Sequence, residues 1–415
     1  MINIYCENEV FGKYTVFDTD TGKTNIISEK DFNMICNTPG DRRVFRHDNV
    51  THTIFPRIIY FQIIRKCNLN CPYCFISAEE QGEEVPWSDI KDLADYFEKQ
   101  GLMEVRLTGG EPTIHTRFEE IVDEFRNRNI YVSVATNGCW SKSVLEFFKS
   151  KKNIFLIISL DGNKTIQDTY RSKSFDTIIQ NIEELRRYNK EIRIRLNTVL
   201  TQKNYLSIEY LFSLAQKYDI EYINFIPLKP QVRSENMKKI MLSGSQYKQA
   251  VELMVKFRRK YGVKFNTSIL FDANAEIMGD KLYRQRKHCS AGVEGTNLDY
   301  DFTKKTYRLF GCAYSPAVDL EWESVIKDYF VAGEFKIEEL EHFAKIWEND
   351  LCWKIFRNNL SPTKCIKCDL YGKGCVGACV IQNIDYENLE KSADREKELN
   401  VQLEKMSEYY CEAEK

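Results

Sequence analysis

Cys67, Cys71 and Cys74 stand at C-x3-C-x2-C spacing within Lys66-Cys67-Asn68-Leu69-Asn70-Cys71-Pro72-Tyr73-Cys74-Phe75. Such short spacing lets three thiolates converge on one soft metal centre of the iron-sulfur kind. Three ligands leave one iron of a four-iron cluster open to an outside ligand, whereas structural zinc takes four protein ligands. A second group is denser: Cys365-x2-Cys368-x6-Cys375-x3-Cys379, with Cys289, Cys312, Cys352 and Cys411 in the same last third. Packing does not explain that density, and it reads as zinc or iron-sulfur ligation. Of the 14 cysteines, only Cys6, Cys36 and Cys139 lie outside both groups. Scattered thiols of that sort read as small hydrophobes. The five histidines, His47, His52, His115, His288 and His342, show no metal spacing.

The chain has 415 residues, enough for two or three domains. Its 59 Lys and Arg balance 61 Asp and Glu, so no global charge excess exists to hold a polyanion, and a nucleic-acid partner is not expected. No apolar run approaches the roughly 18–20 residues that span a bilayer, and no signal-peptide core opens the sequence. These features predict a soluble cytoplasmic protein without a membrane partner. In that reducing compartment a disulfide framework is not expected, so the clustered cysteines point to metal.

The elements that must position the first cysteine loop are legible in the periodicity. Apolar strands are predicted at Ile58–Ile64, Glu104–Leu107, Tyr131–Ala135, Phe155–Ser159, Ile192–Val199 and Tyr222–Pro227, alternating with amphipathic helices at Trp87–Gln100, Arg117–Asn127, Ser143–Ser150, Phe175–Tyr188 and Tyr205–Tyr218. Strand–helix alternation predicts an α/β fold with a parallel sheet, and six repeats are too few for a closed eight-fold barrel. The expectation is a partial (βα)6 TIM-like barrel over residues 56–232. Before it, residues 1–55 carry short alternating runs and a helix cap at Ser28, a small β-rich appendage. Residues 233–285 read as a helical bridge, with Ser245–Tyr261 its clearest helix. Beyond lies a cysteine-rich region, 286–415, expected to be held by metal rather than by a large core.

The cysteine loop, placed directly after the first strand and carrying the aromatic Tyr73 before its third cysteine, resembles the signature of the radical S-adenosylmethionine (radical SAM) superfamily. The resemblance continues through Leu107-Thr108-Gly109-Gly110-Glu111-Pro112, Thr136-Asn137-Gly138, Ser159-Leu160-Asp161-Gly162 and Gln167-Asp168-Thr169-Tyr170-Arg171. It implies a 4Fe-4S cluster on Cys67, Cys71 and Cys74 and S-adenosylmethionine as cofactor. The Gly109-Gly110-Glu111 segment would hold the methionyl ammonium, and polar groups at the strand ends would hold the ribose and carboxylate. Ser159 and Arg171 are the first choices there, with Asn137, Asn197 and Asp161 beside them. An electron delivered to the cluster would then generate a 5'-deoxyadenosyl radical that takes hydrogen from an inert carbon.

The order of Cys289, Cys312, Cys365, Cys368, Cys375, Cys379 and Cys411 is similar to the SPASM extension of such enzymes, and Gly377 fits that pattern too. The resemblance implies two auxiliary 4Fe-4S clusters, the first on Cys289, Cys312 and Cys379, the second on Cys365, Cys368, Cys375 and Cys411. Either Cys352 completes the first, or an open iron there receives a substrate thiolate; Cys352 itself reads as part of an amphipathic helix. Enzymes with this extension typically modify peptides. The expected function is therefore a maturase that installs thioether crosslinks in a ribosomally made precursor peptide, fed by a donor such as flavodoxin or ferredoxin. Carbon–carbon crosslinking or other side-chain oxidation, sulfatase-activating oxidation included, is the alternative. A non-catalytic iron-sulfur carrier is the alternative of another class. An edge strand in residues 1–55 could capture a leader peptide by β-addition.

Overall fold

The computed structural model describes residues 3–8, 13–37, 42–47, 52–228, 235–267, 290–312, 331–348, 351–357, 386–395, 397–398 and 401–402. Cys289, Cys365, Cys368, Cys375, Cys379 and Cys411 lie outside the described residues.

The N-terminal segment forms a four-stranded sheet in the order β3-β2-β1-β4, from β1 (Asn3–Asn8), β2 (Lys13–Asp18), β3 (Lys23–Ile27) and β4 (Arg42–His47), with helix α1 (Glu29–Cys36) between β3 and β4. Ser28 caps α1 by accepting from the Asp31 amide, as its position before Glu29 predicts. Strand β1 runs antiparallel to β2 and parallel to β4.

The β2–β3 turn docks on the base of the second sheet. Asp18 folds it by accepting from the amides of Asp20 at 2.8 Å and Thr21 at 3.2 Å, and Gly22 closes it at φ +64°. A Cβ at Gly22 would stand 2.3 Å from the Tyr131 ring. Phe17 enters an apolar cluster with Met103, Tyr131 and Phe155, and Tyr222 packs against it. Arg126 donates to the Thr19 carbonyl at 2.6 Å, and Arg193 donates to that of Thr21. The appendage is thus built into the barrel through residues that open four of its strands.

The second sheet has ten described strands in the order β11-β10-β9-β8-β7-β6-β5-β12-β13-β14. Strands β5 (Ile58–Ile64), β6 (Glu104–Gly109), β7 (Tyr131–Thr136), β8 (Ile154–Ser159), β9 (Arg193–Leu200) and β10 (Tyr222–Pro227) are the six parallel strands of the barrel. Their connections carry α2 (Trp87–Gln100), α3 (Phe118–Asn127), α4 (Lys142–Ser150), α5 (Lys164–Tyr170), α6 (Phe175–Tyr188) and α7 (Glu209–Lys217). Helix α2 shows why they cover one face: Ile90, Leu93, Ala94 and Phe97, at helical spacing, are its buried residues. They join Phe61, Leu107, Val134, Leu156, Leu196 and Phe225 in one core. Each large side chain fully buried there contributes about 1.5–3 kcal/mol.

Strands alternate sides every residue, so the opposite, inner face carries Tyr60 and Gln62, Glu104 and Arg106, Ser133, Ser159, Arg193, Arg195 and Asn197, and Tyr222 and Asn224. A parallel sheet normally reads apolar on both faces. This polar inner face marks a chamber.

The later chain adds strands to the sheet and side chains to the core. Within 235–267, α8 (Gly244–Tyr261), opened by a Ser243/Gln246 capping box, leads into β11 (Lys264–Thr267), which extends the sheet beside β10. The described residues of 290–312, 331–348 and 351–357 join the main core rather than standing apart from a large one. Strand β12 (Gly295–Asp301) pairs parallel with β5, and β13 (Thr306–Phe310) and β14 (Val331–Phe335) continue the sheet. Helices α9 (Glu341–Glu348) and α10 (Leu351–Arg357) then return to the segment before β5 and to α2: Phe343 stacks on Phe55 at 5.0 Å and stands 5.6 Å from Phe97, and the Trp347 indole donates to the Thr53 carbonyl at 2.6 Å. Cys352 is fully buried in that core, which supports the packing role its helix predicts. The described chain ends with α11 (Tyr386–Lys391) and short helical pieces beyond it.

Candidate active site at the strand ends

The segment after β5 folds back along its own strand. Arg65 donates to the Glu83 carbonyl at 2.9 Å and Cys67 to that of Glu79 at 2.8 Å, which fixes the exit of the cysteine loop. Turns closed by Cys74 N to Cys71 O at 3.2 Å and Ser77 N to Cys74 O at 3.4 Å carry the other two thiols round. The Leu69 amide points at Cys67 Sγ at 3.4 Å, a donor suited to a thiolate. Neighbouring loops pin the turn: Asn68 accepts from the Asn137 amide group at 2.7 Å and donates to the Cys139 carbonyl, while Asn70 N donates to Ser172.

Burial pushes the Cys67 thiol up to about 12, and Glu111, Cys71 and Cys74 add to the rise, which shows the three thiols sharing one electrostatic site. A bound cation reverses that direction, because a coordinating thiol is deprotonated outright. No three His, Cys, Asp or Glu side chains close on a single-ion position among the described residues. Thiolates that each bind a different iron of one cluster stand wider than the ligands of one ion. The donor set, three soft thiols with a backbone amide directed at sulfur, fits an iron-sulfur cluster.

Gly109 and Gly110 lie against this loop. Gly110 N donates to Ile64 O at 2.8 Å and Glu111 N to Lys66 O at 2.9 Å. A Cβ on Gly110 would stand 2.0 Å from the Lys66 carbonyl, and Gly109 adopts φ +140°, so both positions require glycine. Glu111, 1% exposed, accepts four bonds: from Thr113 N at 3.2 Å, Thr113 Oγ1 at 2.6 Å, Thr136 Oγ1 at 2.7 Å and Asn137 N at 2.6 Å. Burial raises its pKa and these donors partly restore it. Three of the four bonds fall on Oε1, leaving Oε2 with room for one further donor such as an ammonium. Pro112 starts the short turn that supplies Thr113. Asn137 is committed on both sides, to Asn68 and to the Cys139 amide.

At the ends of β8 and β9, Ser159 and Asn197 pair in register. Asn224 donates to Asn197 at 3.1 Å, and Ser159 makes no side-chain hydrogen bond among the described residues. Asp161, 2% exposed, accepts from Arg171 Nε at 2.6 Å, from Val199 N at 2.7 Å and from the Tyr73 hydroxyl. The Arg171 guanidinium, 5.1 Å from the Tyr73 ring, is held well above its ordinary pKa by Asp161 against the effect of burial. Arg171, expected at the cofactor carboxylate, is thus tied first to Asp161 and Tyr73, which joins the cysteine loop to the end of β8.

Sequence reasoning missed Thr113 and Asn224, and it quoted Thr136 and Gln167 within motifs without giving either a role. Buried Gln167 accepts from the Asp161 amide at 2.9 Å and donates to Ser174, which fixes the turn that aims Asp161. Cys139, predicted to be a packing residue, is half-buried beside the cysteine loop; burial pushes its thiol up to about 12, with Glu111, Cys67 and Cys71 contributing. Cys312, half-buried just after β13, is the one proposed auxiliary ligand within the described residues.

Residues 61–215 match the model of the Radical SAM superfamily, so this chain carries a radical SAM domain. That superfamily implies S-adenosylmethionine and a 4Fe-4S cluster as cofactors, which the three-thiol loop and the Gly109–Glu111 segment fit. The chain is 33% identical over 187 residues to the cysteine-type anaerobic sulfatase-maturating enzyme of Clostridium novyi, covering 39% of this chain and 48% of that protein. It thus spans about half the length of that relative. The mycofactocin maturase MftC of Mycobacterium tuberculosis is 23% identical over 330 residues, 78% of each chain. In fold, the chain superimposes on Streptococcus suis SuiB bound to the precursor peptide SuiA with a TM-score of 0.70 at 16% identity, covering 95% of this chain and 96% of SuiB. No helix among the described residues is long and apolar enough to cross a membrane.

Proposed function

We propose that this chain is a radical SAM maturase of a ribosomally made precursor peptide, and that the bond it installs is a thioether. The observation that carries the peptide reading is the N-terminal sheet. Among the described residues strand β3 pairs only with β2, its residues are exposed or half-buried, and Ile26 and Met34 are 64% and 60% exposed on β3 and the following helix. An open edge beside apolar side chains suits an extended peptide added as a further strand. Similarity to a sulfatase-maturating enzyme and to MftC supports modification of peptides or proteins as the class of reaction.

Cys67, Cys71 and Cys74 would hold the cluster, the Gly109–Glu111 segment the ammonium, and Ser159, Asn197 and Asn224 the polar part of the nucleoside. When bound, that pair supplies a 5'-deoxyadenosyl radical. The chain's own contribution is to fix the loops through Glu111 and Asp161 and to shield the chamber from water. Thioether formation rests on the auxiliary ligands: Cys289, Cys312 and Cys379 offer three thiolates to one cluster, which leaves an iron for a substrate thiolate, since Cys352 is taken up by the core. The second auxiliary cluster belongs to Cys365, Cys368, Cys375 and Cys411, and flavodoxin or ferredoxin is the proposed electron donor.

The test is co-expression with the small peptide encoded beside the gene, followed by mass measurement. A loss of about two hydrogens per crosslink, with cysteine thiols now protected from alkylation, is expected. The same loss with thiols still alkylated assigns carbon–carbon crosslinking instead. An unchanged peptide with fully loaded clusters overturns the peptide reading.

A further inference from the structure

Three arginines stand on the inner face of the parallel strands, and two of them are neutralised where they stand. Arg106 holds Glu104 through Nε at 2.6 Å and Nη2 at 3.2 Å. Arg193 makes a two-point pair with Glu221 at 2.7 and 2.9 Å. Arg195 has no carboxylate partner among the described residues. Its Nη1 donates to the Tyr222 hydroxyl at 2.7 Å, and its guanidinium stands 5.6 Å from the rings of Phe155 and Tyr222. Its Nε is buried without an acceptor among the described residues. Glu104, the acid whose ionisation Arg195 favours, is already taken by Arg106 and by the Ser133 hydroxyl at 2.6 Å.

A second inner-face group is also left over. Gln62 on β5 is 7% exposed, and its Oε1 has no hydrogen-bond partner among the described residues. It shares the face of Tyr60, since Phe61 and Ile63 belong to the outer core. Register joins Gln62 to Thr108, and Ala135 through Ile157 to Arg195 and Tyr222, so no other charged side chain stands between them on this level of the barrel. Beneath Arg195, Phe155 packs with Phe17 of the docked hairpin, and Tyr222 packs against the same cluster. Ser159, Asn197 and Asn224 stand two residues further along their strands, about 6.6 Å above.

We propose that Arg195, with Gln62 on the same level, is a carboxylate subsite that receives an Asp or Glu side chain of the peptide entering the barrel. The proposal rests on the peptide reading and adds a specificity to it. Once a peptide fills the chamber, the half-buried Arg195 guanidinium needs a negative partner, because neutral acceptors such as a peptide carbonyl leave its charge uncompensated. Charge-assisted bonds are roughly twice as strong as neutral ones, so an acidic side chain outcompetes its amide isostere there. Turned about its last torsion, the Gln62 amide offers N–H donors to the chamber on the same level.

The test is equilibrium dialysis of the full, cluster-loaded chain against radiolabelled N-acetyl-Gly-Glu-Gly-amide, with N-acetyl-Gly-Gln-Gly-amide as the neutral probe. The Glu probe should bind about tenfold tighter than the Gln probe. Arg195→Gln should abolish that preference, and Gln62→Leu should reduce it while leaving the guanidinium in place. Equal binding of both probes to the unaltered chain, or no binding of the Glu probe at about 10 mM, overturns the subsite, because a charged pair worth tenfold would be visible there. Competition of S-adenosylmethionine with the Glu probe would assign Arg195 to the cofactor and overturn it as well. Failure of the peptide reading is a separate result, an unchanged precursor mass, and does not alter the dialysis outcome.

Discussion

Asp161→Asn should unlock the cysteine loop from the end of β8. Asp161 is 2% exposed and the Arg171 side chain 12%, and they are joined at 2.6 Å. The substitution removes the negative charge and leaves the guanidinium buried, a loss of about 3–5 kcal/mol for a buried pair broken on one side. The new amide cannot satisfy all partners. If its oxygen keeps the Val199 amide, now accepted at 2.7 Å, its nitrogen faces the Arg171 Nε–H, donor against donor. At 1.36 kcal/mol per decade, local opening at Val199 becomes about 150- to 5,000-fold more frequent. Hydrogen exchange of the Val199 amide, measured on the metal-free chain under anaerobic conditions, reads this directly. The double variant Asp161→Asn/Arg171→Met removes both charges and should recover most of the loss, since a buried pair replaced on both sides is often neutral. Exchange at Val199 within tenfold of the unaltered chain, or a double variant no better than the single, refutes the assignment of Asp161 as the clamp.

Gly22→Val places a Cβ 2.3 Å from the Tyr131 ring at φ +64°, so the hairpin should lift from the barrel base at a cost of about 1–3 kcal/mol, visible as faster exchange at Thr21 and Lys23. His52, buried beside Trp347, has its pKa pushed down to about 4 by burial and by Arg357. A base with a folded pKa below its unfolded value of 6.5 contributes fully above pH 6.5 and loses that contribution as pH falls toward 4. Acidification should therefore loosen α9 by about 2–3 kcal/mol, read from exchange at Trp347, and His52→Gln should flatten the profile. Cys71→Ala should abolish S-adenosylmethionine cleavage. Cys375→Ala should lower iron from about 12 to about 8 per chain, spare some cleavage and remove peptide turnover; retained turnover counts against an essential second auxiliary cluster.

Much of the barrel is legible in the sequence because its outer face is continuously apolar. Ile58–Ile64, Tyr222–Pro227, Trp87–Gln100 and Phe175–Tyr188 fall where periodicity predicts them, to the residue. Helix α5 escapes because its seven residues carry no apolar stripe, and its start is marked only by the Asn163 cap. Strand β4 escapes because Arg42-Arg43-Val44-Phe45-Arg46-His47 lacks apolar alternation. The return of residues 290–357 to the main core could not be read locally, since β12 finds β5 across more than two hundred residues of sequence.

The cysteine loop, Gly109, Gly110 and the strand-end polar residues were legible as a set, but their individual commitments were not. A motif says which residue types stand at the strand ends; it does not say which hydrogen bonds have already been used. Glu111 gives four acceptor bonds to its own neighbours, and Arg171 is held by Asp161, so both act first as braces. Ser159 and Oε2 of Glu111 keep capacity at the rim, while Gln62 and Arg195 keep it deeper in the chamber. That remaining capacity is arranged in two levels. The upper level matches what a nucleoside and an ammonium require. Arg195 below carries a charge that neither a nucleoside nor an ammonium neutralises, so a carboxylate is the partner its position calls for, and competition with S-adenosylmethionine separates a substrate carboxylate from that of the cofactor.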